Sequence, residues 1–379
     1  MTTVDLSRPA RDRPSAGPRR SSTARRTAPT LLAALLLLVT AGCGLRLDTP
    51  APAELVPDEV EVVRERVATD ALAVEALGDE LAAATADPAV AAVLTQVARA
   101  AQTHAEALGG AYVAHPEATD EADGTDEDAA SASGTPDVAD GGASTAATPA
   151  PTTAPARTVA DLLALLTETA ASARADAASV PDAELARLVG SVAVSRWQLA
   201  DTVVGLVPDV VESTAASLGQ PFAVPDAVPV GLTSADLSTL VQAEDALGLA
   251  YEVAAARSGD DLRASRAARA TVHRGRAQAW AQAAELEANG LDPRRASYVL
   301  PPAFTAVPED PAAGATALTT ELALLEADLA TSYASALADV AAGERGPFVD
   351  AVLDATREHV RMGIAAATLP GLPEQQPAG

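Results

Sequence analysis

The chain has 379 residues, of which 48% are hydrophobic but only 2% aromatic, and it carries a formal net charge of −26. It contains no lysine, four histidines and one cysteine. A uniformly acidic surface repels nucleic acid and anionic lipid faces. Without lysine no GxxxxGK[ST] phosphate loop can form, and neither a GxGxxG nor a GxSxG run is present, so nucleotide-binding and serine-hydrolase readings lose their usual support.

Residues 1–42 hold seven arginines followed by an apolar run from Leu31 to Val39, the layout of a secretory signal peptide. That run is too short to cross a hydrocarbon core of roughly 30 Å, which needs about 20 residues. Directly after it comes Cys43, the sole cysteine, within Thr40-Ala41-Gly42-Cys43-Gly44. This context resembles the lipobox of bacterial lipoproteins, with Thr40 where that motif usually carries Leu, Val or Ile. The resemblance implies cleavage before Cys43, its lipidation, and a position at the outer face of the cytoplasmic membrane. A diacylated cysteine is expected to hold the chain stably, where one acyl chain would not. Arg25-Arg26 is followed by Thr27-Ala28-Pro29 and not by a large apolar pair, so twin-arginine and Sec export both stay open. Loss of residues 1–42, with seven arginines and two acids, would take the net charge from −26 to −31. A lipidated Cys43 would leave no thiol for disulfides, metal sites or catalysis. The absence of lysine and the abundance of alanine suit a G+C-rich, actinobacterial genome.

A tether over 43–56 precedes the first helical set. Apolar spacing predicts helices at roughly 57–84, 88–108, 158–178 and 182–206, then 235–257, 260–289, 314–341 and 346–366, so the fold class is all-α. Asp87-Pro88 and Pro181-Asp182 mark helix starts, and Asn289-Gly290 offers a left-handed stop. Trp197, Trp280, Tyr251, Tyr333 and Phe348 are the expected large core residues. Residues 116–156 contain nine acids and no base, with Ser, Thr, Gly and Pro between them, and are expected to be a disordered, solvated insert. Its acidic clusters lack the spaced ligands and glycine of an EF-hand. The division expected is a first four-helix bundle over 57–206, a linker over 207–234, and a second bundle over 235–374.

The two sets read as a repeat. Glu75 precedes His104 by 29 positions, and Glu244 precedes His273 by the same 29; Leu163-Ala164-Leu165-Leu166 matches Leu322-Ala323-Leu324-Leu325. In both sets the long connection falls between the second and third helices, the ferritin-like arrangement of a bundle with one crossover. The Glu244 helix, His273-Arg274, the crossover sextet Ala296-Ser297-Tyr298-Val299-Leu300-Pro301 and the tail Leu369-Pro370-Gly371-Leu372-Pro373-Glu374 resemble the ferritin-like domain-of-unknown-function family of actinobacterial lipoproteins. The likeness covers about 237–374 and is fainter in the first bundle. It implies a fold and a location and assigns no activity.

Di-iron sites of this fold use a Glu from each of two helices and a Glu-x-x-His pair from each of the other two. Here Ala270 stands three residues before His273, Thr356 before His359 and Ala101 before His104, so the pattern is broken throughout. Helical stripes nevertheless turn Glu244 and His273 inward, with Glu326 and His359 beside the other two stripes. Two readings stay open: a mononuclear zinc or iron site from Glu244, His273, Glu326 and His359, or buried Glu–His pairs, Glu244 with His273 and Glu75 with His104, in a bundle without metal. No catalytic residue and no cofactor are expected. The function expected is binding or scaffolding in the cell envelope, with an unidentified envelope protein or an apolar ligand as partner. The alternative is a metal-binding protein or oxidoreductase derived from the same fold.

Overall fold

The computed structural model describes residues 57–110, 157–206, 219 and 221–375. Cys43 with its signal reading, the insert at 116–156 and most of the first half of the linker lie outside the described residues.

Helices α1 (Glu59–Ala84), α2 (Pro88–Ala107), α3 (Val159–Ser179) and α4 (Ala183–Val204) form the first set. The second is α5 (Ser234–Ala256), α6 (Asp260–Ala283), a single turn α7 (Pro302–Thr305), α8 (Pro311–Asp339) and α9 (Gly346–Arg361). The described residues contain no strand. Helix starts are written in local chemistry. Thr158 and Thr233 each close a capping box with the aspartate three residues on, and Asp58, Asp87, Asp182 and Asp310 accept from first-turn backbone N–H groups. The predicted helix 260–289 stops early because Glu285 takes φ +51 and turns the chain, and that over 346–366 stops at Arg361, ahead of Gly363 at φ +85. The predicted start at 314 moves to Pro311, since Asp310 caps it and proline needs no amide partner in a first turn.

In each set two antiparallel pairs pack together: α1 on α2 and α3 on α4, then α5 on α6 and α8 on α9. The long connection lies between the pairs, so both sets carry the ferritin-like single crossover. The described residues fall in one compact unit, Pro57–Gly379. Helix α4 is shared: it packs within its own set and also against α8 and α9. Every residue from Leu188 to Ala200 is therefore buried, a helix covered on all sides. A Cβ on Gly190 would lie 3.2 Å from Val349 Cγ2 and 3.3 Å from Leu337 Cδ1, so glycine sets how closely α4 approaches α8 and α9. Trp197, Trp280, Tyr251, Tyr333 and Phe348 are all buried, and Phe304 of α7 joins them.

Some polar groups on α4 reach partners on other helices and on the tail, whereas Trp197 Nε1 and Gln198 Nε2 are buried without a hydrogen bond. Arg196, 1% exposed, donates to the carbonyls of Val67 in α1 and Thr169 in α3, and lies 3.8 Å from Asp70. Ser191 Oγ donates to Pro370 O, and Arg187 pairs with Glu374, so the tail after α9 lies against α4. Leu369 and Leu372 of that tail are buried.

Candidate functional site

A strongly polar interior lies in the second bundle. Glu244 on α5, His273 on α6 and Glu326 on α8 are each fully buried. They meet because Glu244 shares a stripe with Leu247 and Tyr251, while His273 shares one with Ala277 and Trp280, all of them inward-facing.

His273 Nδ1 lies 2.6 Å from Glu244 Oε2, and Nε2 lies 3.1 Å from Glu326 Oε1. Carboxylates only accept, so both ring nitrogens carry protons and the ring is an imidazolium. Burial draws the His273 pKa down, but the two carboxylates outweigh it and the net direction is upward. Tyr251 stacks on the ring with centroids 5.4 Å apart.

The carboxylates are tied in turn. Arg269 holds Glu326 through two parallel bonds, Nε to Oε1 and Nη2 to Oε2, each 2.9 Å. Tyr251 donates to Glu326 Oε1 at 2.8 Å. Tyr333 donates to Glu244 Oε1 at 2.6 Å and accepts from Trp280 Nε1 at 3.0 Å. Asp354 of α9 accepts from Arg269 at 2.8 Å and from Arg276 at 2.7 Å. Burial raises Asp354, yet the two guanidiniums hold it down at about 2; Glu326 is likewise lowered despite burial, by Arg269 and His273. Three cations (His273, Arg269, Arg276) thus face three anions (Glu244, Glu326, Asp354).

This donor set does not fit the di-iron group of the fold. Glu244 and Glu326 grip different edges of one imidazolium, so the three side chains share no point at which a metal could replace a proton. Both oxygens of Glu326 are engaged by Arg269, whose guanidinium supplies the positive charge beside them. His359, read from the sequence as a fourth candidate, stands apart: its Nδ1 lies 2.8 Å from Ala323 O and its Nε2 3.3 Å from Ala365 O. It faces backbone carbonyls because α9 ends two residues later and the chain folds back over its ring. Among the described residues, no group of three or more His, Asp or Glu side chains is placed to hold a metal ion.

The second expected pair, Glu75 with His104, does not form. Glu75 is half-exposed on α1, whereas His104 is fully buried and lies 3.0 Å from Ser195 Oγ and 3.1 Å from Thr368 O. Equal spacing brings two residues to the same level of adjacent helices but leaves helix rotation open, and α2 is turned toward α4 and the tail. The core polar residue of the first bundle is Arg196. Arg269, which sequence reasoning missed, sits one turn before His273 on the same stripe; an arginine on an inward stripe was the available signal.

Residues 236–374, from the first turn of α5 through the tail, match the model of a family described as a domain of unknown function (DUF4439). The match includes the Glu244–His273 network, the crossover sextet and the tail, and leaves the first bundle outside it. No curated protein and no solved structure matches the chain.

Proposed function

We propose that this chain is an extracytoplasmic lipoprotein, held at the outer face of the cytoplasmic membrane by lipidated Cys43, whose helical unit binds or scaffolds a partner of the cell envelope and performs no catalysis. One observation carries the non-catalytic part: both nitrogens of His273 and both oxygens of Glu326 are engaged by neighbouring side chains of the same network. A charge-balanced network of this kind favours one specific packing of the helices that carry it. The anchoring part is supported by the sequence around Cys43.

Two measurements test it. Fractionation of cells expressing the wild type and Cys43→Ser should find the first with membranes and the second released, and equal distributions would sink the anchor. Elemental analysis of residues 44–379 purified without a histidine tag should find no stoichiometric metal. Iron or zinc at one per chain that disappears in His273→Ala would replace the scaffold reading with a metalloprotein.

A further inference from the structure

A groove of about 500 Å³ lies between α5, α8 and the crossover segment, and residues 297–301 of the crossover form one wall of it. Its floor is Leu247, Leu325 and Leu329, and Val299, fully exposed, stands on its rim. The volume falls in the range of small-ligand sites, about 300 to 1,000 Å³.

Three features describe what fits there. First, the sextet is positioned by a side chain: Tyr298 donates to Asp245 Oδ2 at 2.7 Å, and Asp245 is held by Arg274. Among the described residues, no backbone group of residues 296–300 bonds to another backbone group. Backbone N–H and C=O groups without an internal partner can bond to a second chain. Second, Arg295 and Asp328 both line the groove, and neither forms an ion pair with a described residue. Burial raises the Asp328 carboxyl, as expected for a carboxylate without a cation beside it. Third, the leucine floor offers an apolar surface between them.

We infer that this groove binds a short peptide with free termini, extended along residues 296–300, its ammonium on Asp328, its carboxylate on Arg295 and an apolar side chain on the leucine floor. The inference deepens the binding reading above by naming a ligand class and a place for it.

The test is isothermal titration of the mature chain with a pool of free-ended tripeptides with apolar centres, then with Ala-Leu-Ala and its N-acetyl, C-amide form. Free Ala-Leu-Ala should bind at least about tenfold more tightly than the capped form, as expected for two charge-assisted contacts. Asp328→Asn should erase the preference for a free amine, and Arg295→Gln that for a free carboxylate. Neither side chain forms an ion pair with a described residue and both reach the surface, Asp328 from a partly buried position, so both variants should stay close to the wild-type melting temperature. No binding from the pool, or equal binding of free and capped forms, would overturn the inference. So would occupancy by a long-chain fatty acid or by a peptide of residues 148–156 in place of the tripeptide. Neither result would touch the fractionation or metal assays, so failure here and failure of the lipoprotein reading are distinguishable.

Discussion

His104 Nε2 lies 3.1 Å from the carbonyl oxygen of Thr368, which is 264 positions further along the chain, and the same nitrogen meets Ser195 Oγ at 3.0 Å. A carbonyl can only accept, so Nε2 carries the proton, and Nδ1 is buried without a partner. This histidine is a neutral clamp joining α2, α4 and the tail. It is not a base for Ser195, because the nitrogen nearest the hydroxyl is already protonated.

Acid should therefore loosen the protein in a defined window. Burial and the nearby Arg196 charge push the His104 pKa down to about 3, against the Thr368 carbonyl, from an ordinary 6.5. Above pH 6.5 both folded and unfolded states are neutral at this residue. Between 6.5 and 3 only the unfolded state gains the proton, so stability falls as pH falls, by at most about 1.4 kcal/mol per pH unit. Urea unfolding from pH 7 to pH 4 should show that slope in the wild type and a shallower one in His104→Gln.

His273 works in the opposite direction. Its pKa is raised in the fold, so its stabilisation is complete below the unfolded value and is lost as pH climbs through the folded one. His273→Gln at pH 7 should cost about 3–5 kcal/mol, since it leaves Glu244 and Glu326 buried without the charge between them. Adding Glu326→Gln should return part of the loss in a double-mutant cycle, and strict additivity would show that the two residues are uncoupled.

The two buried tyrosines should separate cleanly. Tyr251 is one of three donors to Glu326 Oε1, so Tyr251→Phe should cost about 1 kcal/mol. Tyr333 supplies Glu244 Oε1 with its hydrogen bond and accepts from Trp280, so Tyr333→Phe strands two buried groups and should cost about 2–3 kcal/mol. Equal losses by chemical denaturation would contradict this geometry.

Gly371 tests the docking of the tail. It has φ +79, and a Cβ there would stand 2.6 Å from Ala334 Cβ. Gly110 has φ +76 with open space around it. Gly110→Ala should carry the backbone strain alone, about 1–2 kcal/mol. Gly371→Ala should exceed that and speed hydrogen exchange in α4 near Ser191, whose hydroxyl is bonded to Pro370.

Helix positions, caps and the large core residues were legible in the sequence because each depends on neighbours within a turn or two. The Asp87-Pro88 and Pro181-Asp182 starts and the stripes of α5 and α6 are local patterns. The Glu244–His273 contact was legible for a related reason: the chain turns sharply between α5 and α6, so 29 residues bring both stripes to one level. The same spacing failed for Glu75 and His104, where the tail and α4 compete for the histidine.

The sequence by itself determined the all-α class, two helical sets with a long connection between their second and third helices, Glu244 and His273 on inward stripes, and no intact Glu-x-x-His. Only the tertiary structure decided that Arg269 and Asp354 close the network, that α4 is buried on every side and that the tail returns to the first bundle. Those outcomes depend on which helices become neighbours across more than 50 residues of chain, as Arg269 does with Glu326 at a separation of 57 and His104 with Thr368 at 264. Packing of distant apolar faces chooses such neighbours, and no pattern within a single helix records the choice.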